Sequence, residues 1–148
     1  MKIIVDTNIV FSAVLNASGK IGDLLLNSDD VFQFYTCHYL EDELSEHHEK
    51  LKKISKLTDE EISISKSLIF RHLRLINQNL IPIQHLTFAE ELVADVDPDD
   101  SDFVALCEYL DCPLWTGDKK LHKGLLQKGY DKILLTYDLW ELRKILRL

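Results

Sequence analysis

Eight acidic side chains stand where a chain with a site would place them: Asp6, Glu43, Asp95, Asp97, Asp99, Asp100, Asp102 and Asp118. Asp6 follows the apolar run Ile3, Ile4 and Val5, just before Ile9, Val10, Ala13 and Val14 recur at helical spacing. Asp118 follows "PLWTG", again behind a strand-like run. An acid at such a junction has a plain use as a helix N-cap, its oxygen accepting hydrogen bonds from free backbone N–H groups. It also has a sharper use, because open α/β sheets bind ligands at the carboxyl ends of their strands.

The segment "ADVDPDDSDFVALCEYL" separates the two uses. Asp97 as N-cap, Pro98 at the first helical position and acids in the first turn make a good helix start. Capping does not account for five acids within eight positions, whose mutual repulsion works against the gain. A divalent cation would relieve that repulsion. On a helical wheel Asp99 and Asp100 both lie beside the Phe103, Leu106, Cys107 and Leu110 stripe, so the wheel leaves both open. In the helix expected from His38 to about Ser55, Leu44, His47, Leu51 and Ile54 fall within about 40° of Leu40, and Glu43 about 60° from it. Glu43 is the acid of that helix aimed toward the sheet, whereas Glu41, Asp42 and Glu46 point progressively outward.

Other chemistries find little support. The histidines show no H-x-x-x-H spacing, and His47 and His48 point in different directions on a helix, which fits surface or structural roles. There is no Gly-rich phosphate loop, and "DTN" lacks the second aspartate of a D-x-D phosphotransferase. Cys37, Cys107 and Cys112 are an odd, unpaired set, expected as buried reduced thiols. A formal charge of −8 argues against a broadly basic nucleic-acid binder, but not against an enzyme with a local basic rim. No apolar run reaches the length of a membrane span and no signal-peptide pattern opens the chain, so a cytoplasmic protein is expected.

The elements that must position the acids alternate. Strands are expected at "KIIV", "VFQFYT", "LIPI", "PLWT" and "KILLT". Helices are expected through about Leu15, over "KIGDLLLNSD", from His38, over "LTDEEISISKSLIFRHLRLIN", and from near Pro98, Lys119 and Tyr137. In the fourth of these, Thr58 and Glu61 have capping-box spacing ahead of an apolar periodic run. Strands interleaved with helices predict a parallel sheet covered on both faces. The expected architecture is one domain over residues 1–148, a three-layer α/β/α sandwich around about five parallel strands.

Three segments now resemble a known family. "VDTNIVFSAVL", "YLEDEL" and "DPDDSDFVALCEYLDCPLWTGDKKL" look like the acidic motifs of the PIN-domain nucleases, which include the VapC-like toxins of toxin–antitoxin systems. The family's third acid stands five residues before one small helix residue and seven before another. Asp100, with Ala105 and Cys107, fits that spacing, whereas Asp99 and Asp102 do not. The resemblance implies metal-assisted hydrolysis of RNA phosphodiester bonds with Mg²⁺ or Mn²⁺ at Asp6, Glu43, Asp100 and Asp118. Asp6 and Asp100 would be direct ligands, and Glu43 and Asp118 would act directly or through bound water. Asp97, Asp99 and Thr116 would support them. Lys119, Lys120, Lys123 and Arg143 are candidate contacts to an RNA backbone, with Lys120 standing where some relatives carry a further acid. The implied role is an endoribonuclease acting as the toxin of a toxin–antitoxin pair, with a cognate antitoxin as partner. The alternatives are an RNA-processing nuclease outside such systems and a non-catalytic metal- and protein-binding module. Ile62, Ile64, Leu68, Ile69, Leu73, Leu75 and Ile76 exceed one core stripe, and with the family's habit of dimerising they point to a homodimer through the middle helices.

Overall fold

Five short parallel strands form the central layer in a computed structural model that describes residues Met1–Leu148, and their order is β3-β2-β1-β4-β5. They are β1 (Lys2–Val5), β2 (Gln33–Cys37), β3 (Leu73–Ile76), β4 (Leu114–Trp115) and β5 (Ile133–Leu134). The helices are α1 (Thr7–Leu15), α2 (Lys20–Leu26), α3 (Leu40–Glu46), α4 (His48–Ser55), α5 (Asp59–Phe70), α6 (Ile83–Val93), α7 (Ser101–Leu110), α8 (Lys119–Gln127) and α9 (Thr136–Leu146). Single 3₁₀ turns lie at Gln78–Leu80 and Pro98–Asp100.

The pleat of β1 divides the core. Ile3 and Val5 point to one face, where they meet Ile9, Val10 and Val14 of α1, Leu24 and Leu25 of α2, and Ile62 and Ile69 of α5. Ile4 points to the other, against Val93 of α6, Ala105 and Leu106 of α7, and Leu121 and Leu125 of α8. Both faces of β1 are fully buried, as a central parallel strand requires, which is why it reads as an unbroken apolar run. The chain turns one way from β1 to β2 and the other way to β4, so β1 and β4 flank the point where the order of winding reverses. In such sheets the cleft beyond the strands' carboxyl ends at this point is where ligands sit.

The three-layer architecture agrees with the sequence, and three segments differ. The third strand is Leu73–Ile76 rather than "LIPI", and α5 stops at Phe70 instead of running on to Asn77. The alternation of "HLRLI" lies inside a run whose apolar spacing also suits a helix, but Leu73 pairs with Phe34 and completes the ladder beside β2. Pro82 has no N–H to give a ladder and instead stands at the N-cap of α6, a helix that the sequence reading left out. The single helix expected from His38 to Ser55 is broken at His47 (φ −97°, ψ 11°) into α3 and α4. Past Leu44 only Leu51 is buried and Ile54 is 59% exposed, so little core contact rewards one straight helix.

Candidate active site

Asp6 and Asp118 reach the site because a strand ends just before each, Asp97 and Asp100 because a 3₁₀ turn joins α6 to α7, and Glu43 from α3. Asp6 leaves β1 as the N-cap of α1, and its Oδ1 accepts from the Ile9 N–H at 2.9 Å. Its Oδ2 accepts a hydrogen bond from the Thr116 hydroxyl, and the carboxylate is only 2% exposed. Thr116 directly follows β4 and also accepts from the Asp118 N–H at 3.1 Å, so one hydroxyl ties the two strand ends together. Asp118 caps α8, with Oδ1 accepting from the Leu121 N–H at 3.0 Å. Asp97 caps the 3₁₀ turn, accepting from the Asp99 N–H at 3.1 Å, and that turn delivers Asp100 to the start of α7. Every acid of the site except Glu43 and Asp99 is therefore a cap or a neighbour of one. Capping and site use are not alternatives here, since a carboxylate can accept from the helix with one lone pair and keep others free.

Carboxylate oxygens of Asp97, Asp100 and Asp118 lie within 4.8 Å of one another. Burial first, then the charges of Asp97, Asp6 and Asp118, push the Asp100 carboxyl up to about 7. Asp6 is also raised, by burial above all and by the charge of Asp118, against the lowering effect of the Thr116 and Ile9 hydrogen bonds. Like charges gathered at a partly buried point without a neutralising cation suit a hard divalent ion, whose oxygen ligands are carboxylates and water. The donor set fits Mg²⁺ or Mn²⁺, with Asp97, Asp100 and Asp118 close enough to share it and Asp6 near enough for its charge to raise Asp100.

In front of these acids lies a cleft of about 830 Å³. Asp6, Asp97, Asp99, Asp100 and Asp102 line one side, and Glu43 and Glu46 reach it from α3. Glu43 thus shares the cleft, outside the group of three converging carboxylates. Asp99 is exposed and its side chain lies outside that group too, while Asp100 belongs to it. Asp102 is half-buried, and burial together with Glu90 raises its carboxyl. Asp95 turns away to pair with Lys128.

The basic candidates fall elsewhere. Lys119 and Lys120 are exposed at the start of α8, and Lys120 and Lys123 border a separate hollow with Asp95, Val96 and Lys128. Arg143 is corrected: it is 7% exposed, donates to Asp23 at 2.7 Å and Ser28 at 3.1 Å, and stacks on Trp140, so it is a structural strut between α9 and α2. Thr7, Asn8, Phe11, Tyr39 and Lys50 also line the cleft, and none of them is a site candidate from the sequence. Thr7, Asn8 and Phe11 were within reach, being the first turn of the helix that Asp6 caps. Lys50 was not, because its direction depends on the break at His47.

The chain belongs to the PIN-domain family, a family of nucleases: the model for the PIN domain matches residues 4–146. Among solved structures it is similar to a chain of the VapBC2 structure from Rickettsia felis, a crystal structure with a DNA fragment from their promoter. The two share 13% identity with a TM-score of 0.64, over 91% of this chain and 97% of that one. That likeness shows the fold. No curated protein matches the sequence.

Proposed function

We infer that the chain is a metal-dependent endoribonuclease that hydrolyses RNA phosphodiester bonds at Asp6, Glu43, Asp100 and Asp118, and that it is the toxin of a toxin–antitoxin pair. The observation that carries the reaction is the convergence of Asp97, Asp100 and Asp118 beside the β1 and β4 ends, where burial and then the neighbouring acids raise the Asp100 carboxyl to about 7. A bound Mg²⁺ or Mn²⁺ would neutralise charge developing on the phosphoryl group and lower the pKa of the attacking water. The chain's own residues do the rest. Thr116 fixes the Asp6 carboxylate and the Asp118 backbone in one frame. Asp97 and Asp99 hold the turn that presents Asp100. Glu43, across the cleft, orients water for in-line attack, in which the water oxygen bonds to phosphorus, the P–O bond to the leaving oxygen breaks, and that oxygen takes up a proton. Lys119, Lys120 and Lys123 supply cations for RNA leaving the site along α8.

The toxin role draws on the likeness to VapBC2, a structure bound to a DNA fragment from their promoter. A cognate antitoxin is then the partner, the cytoplasm the compartment, and a homodimer the working form. The test is incubation of the purified chain with total RNA and Mg²⁺ or Mn²⁺, with the cleaved ends mapped, and co-expression with the reading frame just upstream of its gene. Discrete metal-dependent ends, and relief of growth arrest on co-expression, support the reading. Intact RNA under all metals overturns it, and arrest that no neighbouring gene relieves overturns the toxin role.

A further inference from the structure

We propose that the wall of the cleft built by α1 and α4 seats the nucleotide next to the scissile phosphate of single-stranded RNA, its base stacked on Phe11 and His47 and its outer phosphate on Lys50. The inference rests on the nuclease reading above.

The cleft has two ends of different chemistry. One holds the carboxylates, and the other is lined by Phe11 and Leu15 of α1 and by Leu51 and Ile54 of α4. The rings of Phe11 and His47, both of which line the cleft, stand 5.9 Å apart at 69° as an edge-to-face pair. Seven acids line the cleft, and Lys50 is its one lysine or arginine. Lys50 is exposed, and no ion pair of the protein engages it, although Glu43 and Glu46 share the lining. Lys120 and Lys123 border a different hollow.

A polyanion that must approach seven carboxylates in a protein of net charge −8 gains little from long-range steering. Stacking does not depend on net charge, and an aromatic face takes any base that is not already paired. Once the scissile phosphate sits at the converging carboxylates, the α1 and α4 residues of the cleft lie beside the path of the adjoining nucleotide. Apolar and aromatic side chains with a free lysine among them match a base followed by a phosphate. They do not match a duplex, whose bases show only their edges.

The test uses the full chain with Mn²⁺ and a single-stranded RNA oligonucleotide carrying 2-aminopurine beside the mapped cleavage position. The wild type is expected to quench the 2-aminopurine fluorescence on mixing. Phe11→Leu should lose the quench and raise KM about five- to tenfold with kcat within about twofold, while Phe11→Trp restores both. Lys50→Gln should lower the slope of log KM against log salt by about 0.7. The same sequence as a duplex should be cleaved at least tenfold more slowly. Melting temperatures near that of the wild type keep a folding defect from imitating these results. Phe11→Leu with an unaltered quench and KM, Phe11→Trp behaving like Phe11→Leu, an unaltered salt slope in Lys50→Gln, or equal cleavage of duplex would each overturn the proposal while the nuclease reading stands. A wild type that cleaves no RNA overturns both.

Discussion

Asp100 carries its charge against resistance. Its carboxyl, at 3.8 in an unfolded chain, is pushed up to about 7 in the fold. A raised folded value means that the folded state holds the proton more tightly, so this group's contribution is fully present below about pH 4 and is lost as pH rises through about 7. The metal-free protein is therefore expected to lose stability over that window. Asp100→Asn should flatten the loss and raise the metal-free melting temperature at pH 8 by roughly 3 °C, allowing about 1 kcal/mol after solvent screening. The same variant should abolish cleavage. Differential scanning calorimetry across pH on the two proteins decides it, and a lower melting temperature for the variant at pH 8 would contradict the electrostatic reading. How legible was this residue? The density of acids between Asp95 and Asp102 was plain in the sequence, and family spacing pointed to Asp100 over Asp99. The part played by Asp97 was understated, because on a wheel it is only a cap, and it takes the 3₁₀ turn to bring its oxygens beside Asp100 and Asp118.

Helix caps and site acids are the same residues here, and amide substitution separates the two uses. Asn caps a helix about as well as Asp. Asp118→Asn should thus leave the metal-free melting temperature within about 2 °C of wild type, whereas Asp118→Ala loses the cap to Leu121 and about 1 kcal/mol with it. Both should lose most of the melting-temperature rise produced by millimolar Mg²⁺ or Mn²⁺, through binding linkage, as should Asp6→Asn. Thermal melts with and without metal check all three, and a full metal-induced rise in Asp118→Asn would remove that carboxylate from the site. At this scale the sequence was legible where periodicity and caps agreed, as in β1 and α1, β4 and α8, and the Thr58–Glu61 capping box that opens α5. It misled between Phe70 and Ile83. There Leu73, Leu75 and Ile76 satisfy helical and strand spacing alike, and only pairing with β2 settles which one the chain adopts. The kink at His47 left no local mark, since no Pro or Gly stands there; it comes from how little of α4 the core accepts.

For the whole molecule, an apolar strip of α5 stays uncovered. Ile62 and Ile69 of α5 are buried, while Ile64 and Leu68 on the same helix are 55% and 40% exposed. A homodimer using this face is expected at tens of micromolar, and light scattering should give twice the 17.2 kDa chain mass, falling to one in Leu68→Glu. A monomeric wild type would exclude the dimer and leave the active site untouched, because the cleft draws on α1, α3, α4 and the 3₁₀ turn rather than α5. The fold itself needs nothing from a partner: two apolar clusters cover both faces of the sheet, and the acids stand at the one place where its winding reverses. The most direct measurement of the central claim is cleavage of single-stranded RNA by wild type and Asp100→Asn, with Mn²⁺ and with the metal chelated. Cleavage is expected only in the wild type with Mn²⁺, lower by at least about a hundredfold in the other three conditions. Equal cleavage by Asp100→Asn, or by wild type without metal, would contradict a metal-dependent carboxylate site.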